Sequence, residues 1–239
     1  MHVTVRLQRT GGKAPSYDHN FHLGSAVYEL MKKNVDGAAE ALHESHYRSA
    51  YVLSEIHPVP GKPDEYWFRA GTANEAVLKV ISKALSPSQK FPVGGTEVMV
   101  TGLQIEEPVI RPGEFVTLSP ILLRDKESGK SIVHDTPGYK ETLEAAINAQ
   151  IKNYMKVDGT VEVIHFEPQA VRKRTIKEKT VLAQKGRMLL DGEEEQLRFL
   201  VDHGVGLSPA LGFGMVVPGI PLEQVQMIGF DKVKRRGGR

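Results

Sequence analysis

Two histidines sit three positions apart in the stretch "EALHESHYRSAY", His43 and His46, with Arg48 close behind. If a helix persists through them, both imidazoles share one face. Imidazole titrates near neutrality, so such a pair can move protons as general acid and base. It could also hold a metal, but no carboxylate and third imidazole complete a recognisable ligand set. Two polar surface histidines at a helix end are an equally good account of the spacing.

A second group is the run "VRKRTIKEKTVLAQKGR". It places Arg172, Lys173, Arg174, Lys177, Lys179, Lys185 and Arg187 around a single acid, Glu178. In an extended strand Lys173, Thr175, Lys177 and Lys179 project to one face, Arg172 and Arg174 to the other. The run reads either as a charge-protected edge strand or as a surface that tracks phosphates. A third group is "GVGLSPALGFGM", with Gly204, Gly206, Gly212 and Gly214. A dinucleotide fingerprint needs strand, loop, helix. Here the order is helix, loop, strand, which disfavours that reading. A turn with a helix cap, or a cradle of backbone amides for a polynucleotide phosphate, remains.

These groups need a scaffold. The 239 residues are 40% hydrophobic and 25% charged, enough for one large or two small cores. Net charge is only +2, so the distribution of charge says more than its sum. There is no cysteine, which excludes disulfides and thiolate chemistry. No secretory signal and no apolar run of membrane-spanning length is visible, so a cytoplasmic protein without membrane contact is expected.

The periodicities predict strand, helix, strand, strand, helix, strand, and then the same grammar again. "HVTVRLQR" alternates. Leu23, Val27, Leu30 and Met31 have helical spacing, and "GAAEALHESH" continues as a second short helix. "SAYVLSEIHPV" is a strand stopped by Pro58 and Pro60. "TANEAVLKVISKAL" is a helix with Thr72 as cap. In the second half Thr136 and Pro137 open a long helix, and Asp191 with Glu194 forms a capping box for a shorter one. Gly204 ends it. The expected fold class is α+β, two tandem ferredoxin-like βαββαβ modules. Residues 1–110 and 111–220 would be the modules, and 221–239 a basic tail with Lys232, Lys234, Arg235, Arg236 and Arg239.

The chain resembles the repeat-associated RNA-binding proteins of CRISPR systems, the RAMP superfamily, and within it the CRISPR-repeat endoribonucleases. The glycine loop has their G-x-G, five residues, G-x-G form. "FVTLSPI" is similar to the opening strand of their second module. "YDHNFHLGSAVYELMKK" and "AEALHESHYRSAY" are similar to their first helix and histidine-bearing segment. The resemblance implies metal-independent, cofactor-free cleavage of CRISPR repeat RNA, single-stranded or stem-loop, in precursor transcripts. The 2′-hydroxyl would attack the adjacent phosphate, leaving 2′,3′-cyclic phosphate and 5′-hydroxyl ends. It places the catalytic histidine at His43 and an active-site tyrosine at Tyr28. Members with a triad add a lysine shortly after the histidine. "HESHYRS" has none, so His46 and Arg48 stand nearest to that role. The glycine loop and the basic run would contact RNA. A homodimer and a CRISPR effector complex are the further partners the resemblance brings, and a non-catalytic RNA-binding subunit is the alternative reading.

Overall fold

The computed structural model describes residues 1–36, 50–157 and 160–222. Its first half builds one antiparallel sheet from β1 (His2–Gly12), β2 (Val52–Leu53), β3 (His57–Val59), β4 (Lys62–Gly71), β5 (Lys90–Val93) and β6 (Thr96–Glu106). The order is β2-β4-β1-β6-β5, with β3 also on β4. Strict alternation fixes which face is inside: Val3, Val5 and Leu7 are buried, while Arg6 is exposed. Two helices cover that face, α1 (Asn20–Asn34) and α2 (Glu75–Ala84). Leu23, Val27, Leu30 and Met31 of α1 join Val77, Leu78 and Ile81 of α2 in one core.

The second half repeats the plan. The strands β7 (Gly113–Thr117), β10 (Glu162–Ile176), β11 (Lys179–Asp191) and β12 (Val216–Pro221) form a sheet in the order β10-β11-β7-β12. A small hairpin, β8 (Leu123–Arg124) with β9 (Ser131–Ile132), is inserted after β7. The helices α3 (Tyr139–Met155) and α4 (Glu194–His203) supply Leu143, Ile147, Ile151, Leu197, Leu200 and Val201 to a second core. Omitting the added hairpin strands, each sheet reads second strand, third, first, fourth.

Several boundaries differ from expectation. The cap of α2 is Asn74, whose side-chain oxygen accepts from Ala76 N at 2.8 Å. Thr72 lies two residues too early and bonds the Ala50 carbonyl instead. The cap of α3 is Gly138 at φ 73°, not Thr136, which accepts from Val133 N. Asp191 ends β11, and α4 begins at Glu194 with no side-chain cap. Pro58 does not stop its strand: β3 is a short edge segment, where a missing N–H is tolerated. The proposed helix "GAAEALHESH" falls on residues outside those described.

Candidate nucleic-acid interface

The two halves meet along the glycine loop. Gly204 ends α4, its N–H donating to Leu200 O at 2.8 Å. The chain then folds back on itself: Val205 N donates to Gly214 O at 2.8 Å, and Gly214 N to Pro120 O at 2.9 Å. All four glycines have left-handed φ, from 71° to 86°. At Gly214 a Cβ would overlap the Val205 carbonyl, and at Gly206 it would come within 2.6 Å of Leu122 O. Only glycine permits this approach.

The far side of the loop is pressed on the first half. Gly24 of α1 lies against the Ala210 carbonyl. Asn20, at the start of α1, donates through Nδ2 to Gly212 O. Val52 of β2 touches Gly204. Ser119 Oγ donates to Leu53 O at 3.2 Å and accepts from Met215 N at 2.8 Å. The loop therefore packs on α1 and β2, the two elements that flank residues 37–49.

This geometry corrects the expectation of an amide cradle. The N–H groups of Gly204, Gly206, Gly212 and Gly214 all donate within the protein, Gly206 to Gln150 Oε1 at 2.9 Å and Gly212 to Pro209 O at 3.0 Å. A donor already paired within the protein is not offered to a phosphate. The glycine spacing serves loop shape and the seam between the sheets.

His43, His46 and Arg48 lie outside the described residues. Tyr28 is half-buried on α1 beside the first core. Burial, with Tyr28 nearby, pushes the Tyr51 hydroxyl well above the ordinary tyrosine range. Tyr28 thus lies close to Tyr51, which precedes β2.

The basic run divides into two groups. Arg174 is 1% exposed: it forms an ion pair with Glu55, donates through Nε to Asn20 at 2.8 Å, and lies 4.2 Å above the Tyr17 ring. Lys185 reaches the other Glu55 oxygen at 3.0 Å, and Arg187 bonds Glu114 at 3.1 Å. Arg172 packs 5.0 Å over Tyr17. Arg174, expected to contact RNA, is instead structural because it is buried and paired. Lys173, Lys177 and Lys179 are exposed at the end of the β10–β11 hairpin. Lys177 sits in its turn at φ 55°, so the strand alternation ends at Ile176 rather than running on to Lys179.

Glu55 and Asn20 escaped sequence reasoning, as did His19 and His57. A signal was present: one carboxylate among Val52, Leu53 and Ile56 needs a cation if that stretch is buried. Burial alone would raise the Glu55 carboxyl, but Lys185 and Arg174 outweigh it and hold it low. His19 is neutral: burial lowers it, and its Nε2 accepts from Ile56 N at 2.7 Å while Nδ1 donates to Ser16 O at 2.7 Å. His57 stacks on Trp67 at 4.4 Å, and burial with Lys185 nearby lowers it to about 4. Among the described residues no three metal-ligating side chains come together, and no helix is long and apolar enough to cross a membrane.

Comparison with known proteins places this geometry. Residues 105–218 match the family model described as CRISPR associated protein Cas6, C-terminal. A CRISPR-associated endoribonuclease-like protein of Pyrococcus horikoshii, Cas6nc, is 24% identical over 84% of this chain and 91% of its own. The CRISPR-associated endoribonuclease Cas6 1 of Methanocaldococcus jannaschii is 22% identical over 91% of this chain and 92% of its own. A solved structure described as CRISPR associated protein Cas6 superposes with a TM-score of 0.76 at 20% identity, covering 92% of this chain and 99% of that one, a likeness of fold. The resemblance read from the sequence holds: residues 105–218 match the Cas6 C-terminal family, and the chain is similar over most of its length to CRISPR-associated endoribonucleases.

Proposed function

We propose that this chain cleaves CRISPR repeat RNA in precursor transcripts, without metal, through two ferredoxin-like modules spanning residues 1–110 and 111–220 with a basic tail at 221–239. The strand order common to both sheets supports the two-module reading. The observation that carries the functional reading is the packing of the glycine loop on α1 and β2, which flank the histidine segment.

In this reading the RNA's 2′-oxygen attacks the adjacent phosphorus while a base takes its proton. The bond from phosphorus to the 5′-oxygen breaks, and an acid returns a proton to that oxygen. His43 is assigned one proton task. His46 and Tyr28 are the candidates for the other. Arg48, a poor proton donor, stabilises phosphorane charge. The exposed Lys173, Lys177 and Lys179 hold the RNA backbone, a role the buried Arg174 cannot share. The enzyme works in the cytoplasm, free or within a CRISPR effector complex, and as monomer or homodimer.

The missing lysine in "HESHYRS" favours a second reading, an RNA-binding subunit that does not cut. His43→Ala separates the cases when cleavage and binding of repeat RNA are measured together. A catalytic His43 gives cleavage slowed far more than binding is weakened. Equal losses assign it a structural role, and a parent protein that binds but never cuts supports the subunit.

A further inference from the structure

A cavity of about 650 Å³ opens beside the glycine loop, between it and the helices of the second half. Its walls are α3 through Ala149, Asn153 and Tyr154, the end of α4 through Phe199 and His203, and the loop residues Gly206–Pro209. Arg124 and Lys126 complete it. This is the size range of small-ligand sites, and no residue of α1 or β2 lines it.

Three features give the cavity a chemistry. Three rings adjoin one another: Tyr154 and Phe199 are stacked, 6.1 Å apart at 29°, and Phe199 and His203 are tilted, 4.7 Å apart at 32°. Such surfaces take the flat face of a nucleobase. One rim carries two cations, Arg124 and Lys126, against one carboxylate, Asp125. Arg124 keeps a buried Nε with no hydrogen-bond partner among the described residues. Asp125 beside it is already engaged, accepting from Ser128 N and Oγ at 2.7 Å each. Finally, Ser208 holds φ 59° at the opening, a left-handed conformation that non-glycine residues rarely adopt and that strained site loops do.

We propose that this cavity holds an unstacked nucleotide of the bound RNA, its base against the Tyr154–Phe199–His203 rings and its phosphate at Arg124 and Lys126. The inference rests on the RNA-cleaving reading and adds a base-accepting subsite to it. A peptide segment would use the apolar rings but has no need of the cationic rim, so RNA is the occupant the lining favours.

The test fills the cavity from its exposed wall. Ala149 is solvent-exposed on α3, so Ala149→Trp adds a ring without entering the core. Affinity for labelled repeat RNA, read by fluorescence anisotropy, falls about tenfold, the scale of one lost base stack. Single-turnover cleavage at saturating protein and the melting temperature match the parent. Lys126→Ala lowers the salt dependence of binding by about one phosphate contact. If the parent binds repeat RNA and both variants bind it with the parent's affinity and salt slope, the subsite is wrong while the enzymatic reading stands. If the parent shows no preference for repeat RNA, the reading itself fails and the subsite with it.

Discussion

Arg174 and Glu55, 119 positions apart, form a buried ion pair that ties β10 of the second sheet to the link between β2 and β3 of the first. Lys185 shares the same carboxylate, and Asn20 joins Arg174 to the glycine loop. The seam between the halves is thus a closed polar network around one carboxylate.

Breaking one partner of such a pair strands the other charge out of water. Glu55→Ala is expected to cost about 3–5 kcal/mol of stability. Arg187→Ala, at a separate and more exposed pair with Glu114, costs less. Denaturant titration of the two variants checks the order. In a double-mutant cycle, Glu55→Ala and Arg174→Ala together cost clearly less than the sum of the two single changes.

Gly214→Ala sets a methyl group on the Val205 carbonyl oxygen and forces a left-handed φ on alanine. It destabilises severely or prevents folding. Gly102→Ala in β6 meets nothing within 4 Å and needs no such dihedral, so it is neutral or slightly stabilising. Comparing soluble yield and melting temperature of the two variants reads this directly.

His2 and His57 are lowered to about 4, in each case first by burial. Unfolded, each titrates near 6.5. Between those values the unfolded chain binds more protons than the folded one, so stability falls as pH drops from 6.5 towards 4. The expected slope is about 1.4 kcal/mol per pH unit for each histidine. Glu55, held low, adds its loss only at more acidic pH. Urea titrations at pH 7 and pH 5 check it, and equal stabilities would contradict the assignment.

Replacing Lys173, Lys177 and Lys179 together by Ala is expected to weaken repeat-RNA binding and to reduce its salt slope by up to about three contacts, with little change in melting temperature. Arg174→Ala should do the reverse, lowering stability first. Binding isotherms across a salt series distinguish these outcomes.

Much of the scaffold was legible because burial follows short periods. Val3, Val5 and Leu7 alternate, and Leu143, Ile147 and Ile151 recur at helical spacing, so each element announces its inner face. Caps were less legible. Thr72, Thr136 and Asp191 have the right chemistry, but the backbone turns a residue or two later, where Asn74, Gly138 and Glu193 stand. The site divided along the same line. Local charge marked the hairpin, yet Arg174 and Lys173 are neighbours with opposite fates. What separates them is Glu55, and pairing over that distance leaves no local pattern. The glycine spacing pointed to the right loop for a different physical reason: close packing at the seam rather than free amides.

The central claim is attack by the RNA's own 2′-hydroxyl without metal. The direct measurement incubates the protein with repeat RNA in EDTA, beside an RNA carrying a single 2′-deoxy substitution at the cut. The account predicts cleavage of the first, with 2′,3′-cyclic phosphate and 5′-hydroxyl ends, and none of the second at equal binding. Cleavage of the deoxy-substituted RNA at the same position, or loss of all cleavage in EDTA, would contradict it.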